Sequence, residues 1–352
     1  MAEPTSQSTA AVAEPSAQPI AAANSAPIEA AEIEDDNADP TYGTEGAEPT
    51  ASVASSILEY FVPTDDLSLD NFDIMHHFLT LLLDDKLHLA PIKPDATRIL
   101  DIGTGTGIWA IDFADEHPDV TVIGTDLSPV QPTWVPPNVS FEIDDCAKEW
   151  TWDADSFEFV HVRYLFGAIR DWTALFKQAH RTLKPGAYLE SVESEPTSYS
   201  DDGSVADDGS VADDGKTALG GRFGAMFREA GKVTGNSMSV ITDNIQVQAM
   251  KNAGFVDVQE ITHKVPMGSW PKDSKLSQIG AFAKMSLESD LSGYTQLIWH
   301  EILRWPANEF EVFMIKVRQE LKDKKLHPYF HVRYVWGRKP EAAESADAAP
   351  TA

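Results

Sequence analysis

Short apolar runs typical of buried strands alternate along the chain with segments whose apolar residues recur at helical spacing. The strand-like runs are 98–102, 120–126, 139–145, 157–163, 184–193, 255–262 and 329–336. Helical patterns cover 67–89, 108–117, 173–183, 223–232, 244–253, 273–291, 294–304 and 309–323. Strands that alternate with helices predict an α/β fold, with a doubly wound parallel sheet and right-handed crossovers.

Both ends of the chain lack this pattern. Residues 1–54 are rich in Ala, Pro, Ser, Thr and Glu and have almost no aromatic side chains. Such a composition cannot bury enough apolar surface to offset the conformational entropy lost on ordering. We therefore predict a disordered acidic tail over 1–54, one domain over 55–340 and a second disordered tail over 341–352.

The chain has 352 residues and a net charge of −29, and its body remains acidic when both tails are left out. Because a phosphate backbone is bound by a basic face, direct nucleic-acid binding is not expected. No apolar run approaches the roughly 18 residues of a membrane span, so no membrane contact is expected. The single cysteine, Cys146, fits a reducing intracellular compartment, either cytoplasm or nucleus.

The stretch 98–109 ends an apolar run with Asp101 and continues with three alternate glycines, Gly103, Gly105 and Gly107. Glycines at a strand–helix turn let the backbone approach a ligand closely, and the helix start offers free N–H groups. A dinucleotide fingerprint has the spacing G-x-G-x-x-G, whereas Ile108 occupies the position of its third glycine. The spacing therefore argues against a dinucleotide oxidoreductase.

More acids close the next two predicted strands. Asp126 lies nineteen residues after Gly107, where a carboxylate accepts hydrogen bonds from ribose hydroxyls. Asp144 and Asp145 end the third strand. Because ligands of open α/β sheets bind outside the carboxyl ends of the strands, we expect these acids and the glycine loop to share one site.

Several segments together resemble the LaeA-like fungal branch of the class I S-adenosylmethionine (SAM) methyltransferases. They are 87–92, 99–114, 124–138, 141–145, 167–172, 183–186 and 253–258, and the run Asp-Leu-Ser-Pro-Val-Gln-Pro that begins at Asp126 is the most specific. The resemblance covers about 57–340. It implies a Rossmann-like seven-stranded sheet with its last strand antiparallel, helices on both faces and helical cap insertions at about 194–222 and 263–305.

The resemblance also implies SAM as the cofactor. The SAM contacts that it carries over are Asp101, Gly103, Thr104, Gly105, Gly107, Asp126, Leu127, Asp145 and Cys146. In this family an acid at the end of strand 3 bonds the adenine amino group, and by position Asp145 fits better than Asp144. Members of the family act in or regulate secondary metabolism, by methylating small molecules or through protein partners, and both alternatives remain open here.

The sequence leaves the methyl acceptor unspecified. We predict that 194–222 and 263–305 form the acceptor side of the site. The candidate aromatic walls are Trp172, Trp270, Trp299 and Trp305. His161, His263 and His300 are the candidate bases, and no catalytic residue is assigned. An acidic six-residue repeat over 203–214 does not match the spacing of a calcium loop.

Overall fold

A computed structural model describes residues 24, 26–32, 66–205, 217–289 and 291–347. The strands are β1 (Arg98–Ile102), β2 (Thr121–Asp126), β3 (Val139–Ile143), β4 (Phe157–Arg163), β5 (Leu183–Ser194), β6 (Val256–Pro266) and β7 (Tyr329–Arg338). The α-helices are α1 (Asp66–Leu82), α2 (Ile108–Glu116), α3 (Trp172–Thr182), α4 (Gly224–Thr234), α5 (Ile245–Ala253), α6 (Ser274–Ser289), α7 (Leu291–Leu297), α8 (Ala307–Lys322) and α9 (Ala342–Asp347). Two π-helical turns, Leu219–Phe223 and Ile298–Ile302, precede α4 and follow α7.

The strands form one sheet with the order β3-β2-β1-β4-β5-β7-β6. β1 pairs in parallel with β2 and β4, and the pairs β2–β3 and β4–β5 are also parallel. β7 runs antiparallel to both β5 and β6. The predicted seven-stranded sheet with an antiparallel last strand is therefore confirmed, and β1, β2, β4 and β5 end at the same edge.

Helices cover both faces of the sheet, so its central strands are buried on both sides. One core, which includes Leu100 and Phe176, lies between the sheet and helices α3 and α5. The opposite core, which includes Ile99 and Phe113, is covered by α1, α2 and α6. A third core joins the two π-helical turns, α4 and α8 into a cap around Trp299.

The first helix is shorter than its sequence pattern. The helix predicted over 67–89 ends at Leu82, and Asp85 follows with a φ of 63°, a left-handed conformation that does not continue a helix. Ala90 is nevertheless buried, because its N–H group donates to the Glu190 carboxylate of β5 at 2.6 Å. The apolar spacing continued past the helix because the loop that follows it is also packed on the sheet.

Part of the predicted N-terminal tail lies on the domain. Asn24 exchanges two hydrogen bonds with the backbone of Lys264 in the edge strand β6, at 2.7 and 2.6 Å. The Ile28 N–H donates to Asp201 at 2.9 Å, and Ala30 forms a bridge with Pro271. This strap, residues 24 and 26–32, contacts one exposed edge of the sheet. The rest of the tail predicted over 1–54 lies outside the described residues.

The predicted C-terminal tail begins with a short helix. Within α9, Glu344 forms an ion pair with Arg338 at the end of β7, with 2.8 Å between Nη1 and Oε2. The prediction of disorder from residue 341 used composition alone, and composition does not reveal the ion pair between Glu344 and Arg338 of the sheet. Residues 348–352 lie outside the described part of the chain.

Among the residues that the structure describes, no helix is long and apolar enough to cross a membrane. The same residues contain no group of three or more His, Cys, Asp or Glu side chains suited to a metal ion. At the start of the acidic repeat region, Asp201 contacts Lys264 and Asp202 contacts His327, each at 2.6 Å. These two acids therefore tie a loop to the domain, and residues 206–216 lie outside the described part.

Candidate cofactor site and acceptor cavity

The glycine loop joins β1 to α2 in a conformation that other residues rarely adopt. Gly103, Gly105 and Gly107 have φ angles of 68°, 57° and 81°. A Cβ atom on Gly103 would lie 2.5 Å from Leu165, and one on Gly107 would lie 2.3 Å from Phe141. A Cβ atom on Gly105 would meet no atom within 4 Å. The outer glycines therefore permit packing against the loop, whereas Gly105 presents bare backbone to open space.

Asp101 is buried beside this loop and anchors it. Its two carboxylate oxygens accept hydrogen bonds from the Thr104 hydroxyl at 2.6 Å and from His161 Nδ1 at 2.7 Å. The His161 ring stacks on Trp109, with 3.8 Å between the ring centroids. Burial lowers the pKa of His161, although its hydrogen bond to Asp101 acts in the opposite direction. His161 is therefore a neutral imidazole that holds Asp101 in position.

Asp126 ends β2 beside the loop and binds its backbone. Its carboxylate accepts hydrogen bonds from the N–H groups of Gly105 at 2.9 Å and Ser128 at 3.0 Å. Gln131 Nε2 donates to the Gly105 carbonyl at 2.7 Å and the Ser128 carbonyl at 3.0 Å. Burial raises the pKa of Asp126, and the backbone hydrogen bonds oppose that shift. Gln131 was not predicted as a site residue, although it lies in the most specific run of the sequence.

The end of β3 supplies the remaining predicted contacts. One Asp145 oxygen accepts the Ala147 N–H at 3.0 Å, and the other lies 3.1 Å from Lys148 Nζ, so this carboxylate caps its own turn. The Cys146 side chain packs against the core that includes Leu100 and Phe176, and burial raises the pKa of its thiol to about 12. Leu127 is 42% exposed and leaves an apolar surface at the same sheet edge.

The residues at this edge fit SAM chemically. The acids Asp101 and Asp126 suit a ligand with cationic sulfonium and ammonium groups, and Asp126 would hold the ribose hydroxyls. The backbone around Gly105 is open to the methionine end, in a space that a side chain on Gly105 would fill. The exposed Leu127 side chain would contact the flat adenine.

A cavity of about 180 Å³ lies beside this edge. Its wall includes six phenylalanines, namely Phe72, Phe78, Phe166, Phe223, Phe227 and Phe330. Two contacts join the cavity wall to the glycine loop. Thr106 donates its hydroxyl hydrogen to Asp73 of α1 at 2.8 Å, and Leu165, which follows Tyr164 of the wall, packs under Gly103. The cavity is thus an apolar site next to the cofactor loop.

Both predicted cap segments contribute to this cavity, but the predicted tryptophans do not line it. Ser194–Pro196 come from the first segment, and Met267, Ala283, Ser286 and Leu287 come from the second. Trp299 is fully buried in the cap core, and the Trp270 indole donates to the Pro328 carbonyl at 3.1 Å. Trp172 packs in the core beneath α3 and α5, and Trp305 packs against the cap core without lining the cavity. Helix α1 supplies aromatic side chains to the cavity wall, which the sequence analysis did not predict.

None of the three histidines considered as a base lines the cavity. His161 is bonded to Asp101 beside the glycine loop. His263 is buried in β6, where burial lowers its pKa to about 4. His300 packs against Phe310, with 5.0 Å between ring centroids. The large cavity is therefore lined without a histidine among the described residues.

The turn after β4 is the site feature that sequence reasoning missed. Tyr164 has a φ of 56°, which is strained for a bulky side chain. The next two N–H groups, of Leu165 and Phe166, donate to the Glu193 carboxyl at 3.1 and 2.9 Å. Burial raises the pKa of Glu193 to about 8 despite these two bonds. Glu193 thus holds the turn at Tyr164 between the glycine loop and the cavity. The only sign of this role in the sequence was a glutamate within the strand-like run 184–193.

Comparison with known proteins agrees with this arrangement. A family model described as a methyltransferase domain matches residues 75–260. The methyltransferase pytC of Aspergillus terreus is 36% identical over 282 residues, covering 80% of this chain and 83% of that protein. The secondary metabolism regulator LAE1 of Cochliobolus heterostrophus is 30% identical over 80% of this chain and 90% of that protein. The protein-methionine methyltransferase laeA of Emericella nidulans is 28% identical over 80% and 72%.

The fold and the acid-led glycine loop define a class I SAM-dependent methyltransferase. The chain belongs to this methyltransferase family, and its predicted resemblance to LaeA-like proteins is confirmed. SAM is its cofactor.

Proposed function

We propose that the protein transfers the methyl group of SAM to a small molecule that binds in the aromatic cavity, as a step in fungal secondary metabolism. The carrying observation is the position of the cavity: α1 and the turn after β4 each contact the glycine loop and also form cavity wall. Bound SAM would supply an electrophilic methyl group on sulfur. The chain would hold the acceptor in line with that methyl and exclude water from both.

The alternative is a regulator that binds SAM and acts through protein partners, since the relative LAE1 of Cochliobolus heterostrophus is a secondary metabolism regulator by name. A wide apolar cavity supports the small-molecule acceptor, because a protein that needs SAM only as a bound ligand has no use for such a space. Under either function we expect an intracellular protein, in the cytoplasm or the nucleus.

The test is incubation of the full chain with isotope-labelled SAM and a fungal extract, followed by separation of metabolites from protein. Label in a metabolite supports the proposal, and label only in protein overturns it in favour of the regulator. Ala283→Leu narrows the cavity and should reduce metabolite labelling. Ala307→Leu adds the same atoms at the exposed start of α8 and should have no effect.

A further inference from the structure

The polar groups of the cavity are few. Among the described residues that line it there is no Lys, Arg or His, and Glu195 is the one carboxylate. The Asn71 side-chain oxygen accepts the Ser286 hydroxyl, and the hydroxyls of Tyr164 and Ser194 interact with each other. The groups that can contact a ligand are therefore the Glu195 carboxylate and the Asn71 amide N–H groups. The described part of the cavity thus offers hydrogen bonds without positive charge.

Glu195 is held as a hydrogen-bond acceptor at the cavity wall. Its Oε1 accepts the hydroxyls of Tyr199 and Thr242, each at 2.8 Å, and its Oε2 accepts the Thr242 N–H at 3.0 Å. The side chain is 1% exposed. A carboxylate oxygen has two lone pairs, so Oε2 retains one acceptor position after binding Thr242. A ligand that donates a hydrogen bond can use this position.

We propose that the acceptor is a neutral aromatic molecule with a hydroxyl group, bound through a hydrogen bond from that hydroxyl to Glu195. This inference rests on the proposed function only in treating the cavity as the acceptor site. The six phenylalanines provide apolar surface for its ring. An anion is excluded because it would lose its hydration beside a fixed carboxylate and find no cation among the described residues of the wall.

The test is equilibrium binding of three matched probes to the full chain at pH 7, without SAM. The probes are 2-naphthol, 2-methoxynaphthalene, which lacks the donor hydrogen, and 2-naphthoate, which is an anion. We expect 2-naphthol to bind at least tenfold more tightly than either of the others. Equal affinities, tight binding of 2-naphthoate, or no binding of any probe to the folded protein would each overturn the proposal.

One variant tests this contact. Glu195→Gln should abolish the preference for 2-naphthol over 2-methoxynaphthalene and improve the binding of 2-naphthoate, because it removes the charge. Glu190→Gln is the matched control, since Glu190 is a buried acid of β5 that does not line the cavity.

Folding of each variant is checked by its thermal transition and by calorimetric binding of S-adenosylhomocysteine. If folded Glu195→Gln binds the probes as the wild type does, the assigned contact is wrong. If the probe pattern holds but no metabolite is methylated, the proposed function fails while the chemistry assigned to the cavity stands.

Discussion

The cofactor edge and the acceptor cavity are neighbouring halves of one site that are built in opposite ways. The centre of the cofactor half is a single β–α–β unit, where Asp101, Gly105 and Asp126 are joined by hydrogen bonds to one short loop. The cavity wall instead combines residues as distant in the chain as Phe72 and Phe330. A loop held by backbone hydrogen bonds tolerates few substitutions, whereas an apolar wall tolerates many of similar volume. One half can therefore keep its ligand while the other changes its own.

The largest expected effect tests whether the cap tryptophan belongs to the core or to the cavity. Trp299→Ala should lower the free energy of unfolding by about 3–5 kcal/mol, because Trp299 is fully buried between Arg222 and Phe313. Phe72→Ala, at the half-buried cavity wall, should cost less stability and weaken 2-naphthol more. Denaturant unfolding and probe titration measure both. A stable Trp299→Ala variant with a selective loss of probe binding would place Trp299 in the acceptor half.

Within the cofactor half, the glycines should separate into packing and ligand positions. Gly107→Ala should cost about 2–4 kcal/mol of stability, because its methyl group meets Phe141 in a left-handed conformation. Gly105→Ala should cost about 1–2 kcal/mol from conformation alone. Its main effect should be weaker S-adenosylhomocysteine binding, measured by calorimetry. Equal stability losses in the two variants would contradict this division.

Independence of the two halves is tested at the end of β2. Asp126→Ala should weaken SAM binding by about 1–3 kcal/mol, because ribose hydroxyls and two loop N–H groups lose their acceptor. Binding of 2-naphthol to the cavity should be unchanged in the same variant. Calorimetric titration with each ligand gives both values. A folded variant with normal SAM affinity would show that the acid of β2 is misassigned.

The acid between the two halves should make stability depend on pH. The pKa of Glu193 is raised in the folded protein from 4.5 to about 8, so folding favours its protonated form. The contribution of Glu193 to the free energy of unfolding is present below pH 4.5 and is lost as the pH rises toward 8, because this carboxyl ionises first in the unfolded chain. Relative to Glu193→Gln, the wild type should lose about 1–3 kcal/mol between pH 5 and pH 8. Parallel unfolding curves of the two proteins across this range would refute the assignment.

The strap should give the smallest effect, since it lies outside both halves. Removing residues 1–32 should cost about 1 kcal/mol of stability through the lost hydrogen bonds at β6, whereas removing 1–23 should cost nothing. S-adenosylhomocysteine affinity should be the same in both shortened proteins. Loss of the thermal transition on removal of 1–32 would show that the strap is required for folding.

Several tertiary features could not be read from the periodicity. The apolar spacing of α1 continued into a loop because Ala90 is also buried on the sheet. The tryptophans were candidates for the cavity wall, because the sequence gives the size of a side chain but not the core in which it packs. Tyr164 drew no attention, since its left-handed conformation follows from contacts of its neighbours with Glu193, which is far along the chain.

The sequence by itself determined the order of strands and helices, the glycine loop and the acids Asp101 and Asp126, because each depends on residues close together in one β–α–β unit. The resemblance of longer runs added the family and the cofactor. Only the tertiary structure decided that α1 and six phenylalanines enclose a cavity, that Gln131 bonds the loop, and that Glu195 lines the same cavity. These contacts join distant segments through the packing of the whole sheet, which local spacing does not encode.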